Sequence, residues 1–337
     1  MAYNTTQIIN KHQQTLVWRI TALLFFIKIV TMDKTSLKMW LETARPKTLP
    51  LALASIVSGS ALAKWNGSFS LPILLLSILT ALLLQVVSNF ANDYGDHLKG
   101  SDTADRIGPL RGIQHGVISP KQLKAGLILV ILATLCCGSA LILLATESWQ
   151  DLIAFAVLGV VAVLASITYT IGRKPYGYLG LGDISVLIFF GWLGVGGSYY
   201  LQIHRIDFPV LMVATACGLL ATAVLNINNL RDIEQDRKVG KNTLAVRLGD
   251  KPAKIYHCWL LACAMVLYLV FTLLYFPHWS GLLPILAFPL LIKHAWMVFH
   301  AEQPQQLRPM LAQMSLLALS VNLLFSTGLL LSSGFNW

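Results

Sequence analysis

Seven of the fifteen acidic residues in this 337-residue chain fall in two short windows, with the spacing of a site for a hard cation. The first runs Asn92-Asp93-Tyr94-Gly95-Asp96 and continues through Asp102 to Asp105. The second is Arg231-Asp232-Ile233-Glu234-Gln235-Asp236-Arg237-Lys238. Asp93 and Asp96 are three apart and Asp232 and Asp236 four apart, so on helices each pair shares a face. Extending those faces inward adds Gln85 and Asn89 to the first and Asn228, with Asn229 beside it, to the second. Each window then reads Asn-x-x-x-Asp followed by another Asp, a weak internal repeat.

Packed carboxylates repel one another unless a cation intervenes. Oxygen donors without His or Cys suit Mg²⁺ before any transition metal. That ion takes one or two protein carboxylates and shares its other positions with substrate phosphates. The interleaved bases Lys99, Arg106, Arg111, Arg237, Lys238, Lys241 and Arg247 suit phosphate oxygens. Together they describe a receptor for a lipid with a diphosphate head. The plainer alternative is a pair of solvated loops with exposed ion pairs. Acids at the C-terminal ends of helices oppose the helix dipole, however, and here they do so twice.

Smaller signals lie between the windows. Tyr169, Arg173, Lys174, Tyr176 and Tyr178 form a basic, aromatic segment, and Asp183 follows inside an apolar run. An ionisable residue within a span is a site candidate by default, although Asp183 also suits a helix cap on the Gly182 and Ile184 backbone. Arg45-Pro46-Lys47 reads equally as a topology anchor or as a third basic arm at the head-group site.

The elements that position these residues must cross a membrane. The chain is 56% hydrophobic and 12% charged, against about 25% charged in soluble domains. Apolar runs bounded by charge or turn residues predict nine spans, near 47–66, 70–92, 123–145, 151–171, 179–203, 209–229, 255–276, 279–299 and 311–333. Both acidic windows begin at the same end of their spans. With the N-terminus inside, alternate loops carry twenty Lys and Arg residues and the other side carries only Lys64 and Arg205, as the positive-inside rule requires. The expected fold is therefore an all-α integral membrane bundle of about nine transmembrane helices, N-terminus cytoplasmic and C-terminus outside. The net charge of +10 is scattered over several loops, which argues against a nucleic-acid partner. The five cysteines sit in apolar runs without metal-ligand spacing and are expected to be free, buried thiols. Residues 1–31 fit neither a signal peptide nor a full span. They read as an extension ahead of a start at Met32 or as an amphipathic surface segment.

The two aspartate motifs resemble those of the UbiA superfamily of intramembrane prenyltransferases, a nine-helix bundle. Five blocks resemble its naphthoate-prenylating branch more closely: Arg45 to Pro50, Ser88 to Asp96, Arg106 to Gly112, Tyr176 to Asp183 and Leu225 to Asp232. The likeness runs from about Trp40 to the C-terminus, and residues 32–337 read as one prenyltransferase domain. It implies transfer of a polyprenyl group from a polyprenyl diphosphate to 1,4-dihydroxy-2-naphthoate in a bacterial inner membrane. Carbon dioxide and diphosphate are lost, and demethylmenaquinone forms. By the same resemblance, Asp93, Asp96, Asp232 and Asp236 hold Mg²⁺, while Lys241, Arg111 and Arg173 bind the departing diphosphate. Gln85, Asn89, Asn92, Asn228, Arg106 and Lys174 are the remaining candidate substrate contacts. Tyr169 offers an aromatic wall to the allylic cation, and Asp183 accepts a proton or orients a ring hydroxyl. Asp102, Asp105 and Glu234 are candidates to support the metal ligands. The polyprenyl tail lies along the bundle and leaves to lipid. Two other readings of the same residues stay open: a 4-hydroxybenzoate acceptor, and, from another class, a secondary transporter. A CDP-alcohol phosphotransferase is disfavoured, since its Asp-Gly-x-x-Ala-Arg signature is absent.

Overall fold

A computed structural model describes residues 34–100, 107 and 112–333. Every regular element among them is helical. Helix α1 (Lys34–Ala44) leads through a 3₁₀ turn at Pro46–Thr48 into α2 (Leu49–Trp65), which hairpins into α3 (Leu71–Leu98). Then come α4 (Pro120–Ala145), α5 (Trp149–Thr168), α6 (Gly182–Ile203), α7 (Phe208–Arg231) and the short α8 (Ile233–Lys238). The chain closes with α9 (Asp250–Tyr275), α10 (Trp279–Phe299) and α11 (Leu307–Ser333). Eight of the described helices are long and apolar enough to cross a membrane. The ninth expected span, α2, has 17 residues, the lower limit for crossing the hydrocarbon core.

Local chemistry sets the ends. A capping box between Ser119 and Gln122, with Pro120 in the first turn, starts α4, satisfying backbone N–H groups that a helix start leaves without partners. The second span was expected to stop near residue 92, but α3 continues to Leu98. Its acids therefore stand on the last two helical turns. Gly95 does not break the helix, and a Cβ there would come within 2.9 Å of the Thr170 side chain, so its bareness is what lets the 169–171 corner approach.

Helix α7 runs through the middle of the bundle, with 61% of its span buried. It packs closely on α6 and α9. At the α6 crossing a Cβ on Gly191 would meet the Ala214 carbonyl at 2.5 Å and Gly218 Cα at 3.0 Å, the small-residue contact by which membrane helices bring their backbones together. Within α6, Leu187–Gly197 winds in wider π-type turns, a form found mostly at functional sites. Across the bundle, Ser58 on α2 and Tyr268 on α9 both donate to Asn322 Oδ1 on α11, at 2.6 and 2.9 Å. All three are buried. Helix α1 closes the charge-rich end, its Trp40 ring packing on Phe90 with centroids 5.5 Å apart and planes tilted by 52°. All five cysteines are free, but only Cys217 is buried, and Cys136 and Cys263 face outward. An apolar run crossing a bilayer need not be interior, because lipid is as apolar as a core. That corrects the expectation of five buried thiols.

Candidate active site

A cavity of about 360 Å³ lies at the charge-rich end and runs deep between α2, α3, α5, α6 and α7. Its mouth is lined by Arg45, Asn92, Asp96, Asn228, Asp232, Gln235, Asp236 and Lys241, its deeper wall by apolar residues such as Phe189, Phe190, Leu193 and Leu225. Both acidic windows thus face one space, α3 supplying one side and the α7–α8 junction the other.

The α3 side is built onto the corner between α1 and α2. Asn89 Nδ2 donates to the Ala44 carbonyl at 2.8 Å, Gln85 Nε2 to Thr48 Oγ1 at 3.3 Å, and Thr48 Oγ1 to the Arg45 carbonyl at 3.0 Å. Two candidate substrate contacts therefore spend amide hydrogens on the backbone and side chain of residues 44–48, while both still line the cavity. The corner they hold places Arg45 in the left-handed region, at φ 54° and ψ 64°, which costs a non-glycine residue about 1–2 kcal/mol. Its guanidinium pairs with Asp93. Asp93 is 2% exposed and lies behind Arg45, outside the cavity lining. Asp96, one turn on, reaches the cavity and accepts from the Tyr178 hydroxyl at 2.9 Å.

On the other side, α7 ends at Asp232 and α8 begins there, yet the Asp236 N–H still donates to the Asp232 carbonyl at 2.8 Å. The break keeps both carboxylates on the cavity. Arg231 grips Asp232 with two bonds, Nε to Oδ1 at 2.8 Å and a terminal nitrogen to Oδ2 at 2.5 Å, and also donates to Asn228 Oδ1 at 2.9 Å. Such a two-point clamp fixes both carboxylate oxygens in a plane. Lys241 Nζ lies 3.7 Å from Asp236 Oδ1. The Tyr178 ring carries Lys99 Nζ at 5.1 Å and Lys241 Nζ at 5.6 Å, within cation–π range. Asn242 N–H to the Tyr178 carbonyl at 3.0 Å, and Arg247 to the Leu179 carbonyl at 2.7 Å, tie the two loops together.

The remaining candidates are divided. Asn92 lines the cavity and accepts from Thr170 at 3.1 Å. Tyr169 lines it as well, and a Cβ on Gly182 would lie 2.9 Å from the Tyr169 hydroxyl. Burial, and then the nearby Asp183 carboxylate, push the Tyr169 phenol above its ordinary range, so it stays neutral and able to donate. Asp183 is buried in the first turn of α6 and makes no side-chain cap there. It stands behind Tyr169 rather than on the cavity wall. Arg173 and Lys174 are exposed and do not line the cavity, and Glu234 forms a surface pair with Arg237 at 3.0 Å. Arg106, Arg111, Asp102 and Asp105 lie outside the described residues. Sequence reasoning gave no role to three residues of the site: Tyr178, named only within the basic, aromatic segment and here the hinge between windows, Gln235 on the lining, and Arg231 as a clamp. The one sequence signal for Arg231 was its place directly before Asp232.

The donor set suits a small hard cation. Every carboxylate, amide and phenol at the mouth offers oxygen, and among the described residues no His or Cys lines the cavity. Among the described residues no group of three acidic, His or Cys side chains is placed to hold a metal ion by itself.

Comparison with known proteins places the chain. The model of the UbiA prenyltransferase family matches residues 52–317. The chain is 61% identical over 302 residues to the 1,4-dihydroxy-2-naphthoate octaprenyltransferase of Haemophilus influenzae, covering 89% of this chain and 98% of that one. It is 53% identical to the Escherichia coli protein of the same name, covering 87% and 95%. Among solved structures, a UbiA homolog from Aeropyrum pernix superposes with a TM-score of 0.58 at 17% identity, covering 84% of this chain and 98% of that one. A UbiA homolog from Archaeoglobus fulgidus bound to GPP and Mg²⁺ superposes with a TM-score of 0.56 at 16% identity, covering 86% and 99%.

Proposed function

Because this chain belongs to the UbiA prenyltransferase family, we propose that the acid-rich mouth receives the diphosphate of a polyprenyl donor together with Mg²⁺, and the cavity below holds the acceptor ring. The reaction is transfer of the polyprenyl group to 1,4-dihydroxy-2-naphthoate with loss of carbon dioxide and diphosphate, the prenylation step of menaquinone biosynthesis. The observation that carries the reading is one cavity that joins facing carboxylates and a lysine to an apolar wall.

Asp96 from one side and Asp232 and Asp236 from the other would offer the ion one or two carboxylates, with phosphate oxygens completing its shell, and Asp93 shapes the site by holding Arg45. When bound, Mg²⁺ offsets the negative charge that gathers on the diphosphate as the donor C–O bond breaks. Lys241 stands beside Asp236 to meet the same charge, and a fixed cation facing a developing anion is a large catalytic term. The apolar lining excludes water, which would otherwise capture the allylic cation. Tyr169 gives that cation an aromatic wall and stays neutral while doing so.

Electron bookkeeping then limits what the acceptor side needs. The C–O pair leaves with diphosphate, and a ring π pair forms the new C–C bond. The bond to the carboxylate breaks, its electrons restore aromaticity, and carbon dioxide departs. No ring proton is lost, so no base is needed, and Tyr169 on the cavity wall, with Asp183 behind it, serves to orient a naphthol hydroxyl. Prenylation of 4-hydroxybenzoate at a ring C–H would instead require a base. The charge-rich end faces the cytoplasm of a bacterial inner membrane.

The test is a membrane assay with 1,4-dihydroxy-2-naphthoate and a polyprenyl diphosphate, with Mg²⁺ or EDTA, on wild type and Asp96→Asn. Prenylated naphthohydroquinone, read as its quinone after oxidation in air, formed only with Mg²⁺ and lost in the variant is the expected result. Product from 4-hydroxybenzoate alone would replace the acceptor. No product from either ring, with Asp96→Asn behaving as wild type, would sink the diphosphate site.

A further inference from the structure

Each of the four acids of the two windows is held by a cation or a donor of this same chain. Arg45 pairs with Asp93 and Arg231 with Asp232, and Lys241 stands 3.7 Å from Asp236. Tyr178, whose ring carries Lys99, donates to Asp96. Set against Asp93, Asp96, Asp232 and Asp236 are thus Arg45, Lys99, Arg231 and Lys241, one positive charge for each negative one. Packed carboxylates need a cation between them, and here the fold supplies its own.

Those cations are not equivalent. Arg45 and Lys241 line the cavity, so their charged ends can turn from a carboxylate to a phosphate oxygen. Arg231 does not line it. It is 4% exposed at the end of α7, and its guanidinium makes three bonds within the protein, two to Asp232 and one to Asn228 Oδ1. Asp232 itself faces the cavity. A carboxylate has about four lone-pair sites on its two oxygens, and Arg231 takes one on each. The grip joins sequence neighbours at the break between α7 and α8, so backbone geometry holds it in place.

We propose that Arg231 is a fixed counter-ion that makes binding of the divalent metal depend on the diphosphate. The inference rests on the prenyl-donor reading above and adds to it how the two ligands are coupled. A divalent cation arriving alone at Asp232 meets a carboxylate already neutralised, with a guanidinium close behind it, so repulsion offsets attraction. A diphosphate brings the missing negative charge. It also draws Arg45 and Lys241 onto its own oxygens, which uncovers Asp236 for the metal. Metal and diphosphate then raise each other's affinity by the same factor, as linkage requires. Arg231 touches neither ligand; it is a positioning residue that acts through Asp232.

The test uses Mn²⁺ as a paramagnetic probe on the purified full chain. Binding is read from loss of the free-ion signal, with and without the unreactive donor analogue geranyl thiolodiphosphate, after subtracting what the analogue binds in solution. In wild type the analogue is expected to tighten Mn²⁺ binding about tenfold or more. In Arg231→Gln, Mn²⁺ alone is expected to bind about tenfold more tightly than in wild type, and the analogue to add less than about threefold. Arg231→Lys keeps the charge while losing the two-point grip, and is expected to retain most of the wild-type coupling. A merely structural role would weaken Mn²⁺ binding in Arg231→Gln with and without the analogue alike, and that result overturns the inference. Wild-type coupling below about threefold overturns it as well, needs no variant to fold, and leaves the prenyl-donor reading standing. Wild type that binds Mn²⁺ in neither condition overturns the diphosphate reading and this inference with it.

Discussion

The Tyr178 hydroxyl donates to Asp96 at 2.9 Å while the face of its ring carries Lys99 and Lys241. One side chain from the loop before α6 therefore touches the acid of one window and the lysine of the other. Tyr178→Phe keeps the ring and its cations but removes the donor that orients Asp96. The Mg²⁺ concentration giving half-maximal rate is expected to rise about fivefold, equivalent to about 1 kcal/mol, with KM for the naphthoate unchanged. A Mg²⁺ titration of initial rates reads this directly.

Lys241 is the described lysine on the cavity wall and the one nearest Asp236. Lys241→Ala is expected to lower kcat about 100-fold, the scale of losing one preorganised charge partner of a leaving group. Lys241→Arg should recover part of it, because charge is kept while shape changes. Diphosphate release in a single turnover separates this from slow product exit.

Arg45 and Asp93 test whether a buried pair stabilises or only tolerates itself. Arg45→Ala takes a cation from a carboxylate that is 2% exposed and is expected to cost about 2 kcal/mol, since truncating one partner of such a pair is worse than removing both. Arg45 is 29% exposed, which keeps the figure below that of a fully buried pair. The double variant Arg45→Ala with Asp93→Asn should melt higher than Arg45→Ala alone. Thermal unfolding in detergent decides it, and a double variant no more stable than the single one would refute the coupling.

Asn322→Leu leaves two buried hydroxyls, Ser58 and Tyr268, without their shared acceptor. The expected loss is about 1–3 kcal/mol, seen as a lower melting temperature. Activity measured well below that temperature should survive, because Asn322 does not line the cavity.

The windows were legible because in a chain with so few charges each acid stands out, and because helical spacing fixes which acids share a face. The same arithmetic could not say what Gln85 and Asn89 bind. Their partners are a carbonyl and a hydroxyl of residues 44–48, forty residues away and reachable only once the α1–α2 corner folds back. Arg231 read as one more loop cation, since a two-point grip on the next residue's carboxylate depends on the chain turning at Asp232. The helix runs on past the apolar run that marks the second span, because hydropathy falls where the acids begin, whereas a helix continues wherever its backbone bonds do. Spacing likewise could not tell that Arg173 and Lys174 point to solvent while Tyr178 turns inward.

Helix α3 has 28 residues, about 42 Å at 1.5 Å each, against a hydrocarbon thickness of about 30 Å. The surplus places its acid-bearing turns in the head-group layer, where water and lipid mix. Catalysis there joins reactants drawn from two phases: a polar aromatic acid arriving from solution and a greasy donor confined to two dimensions. Velocity should then follow the mole fraction of donor in the bilayer rather than its amount per volume, so adding inert phospholipid would slow the enzyme without touching a single residue.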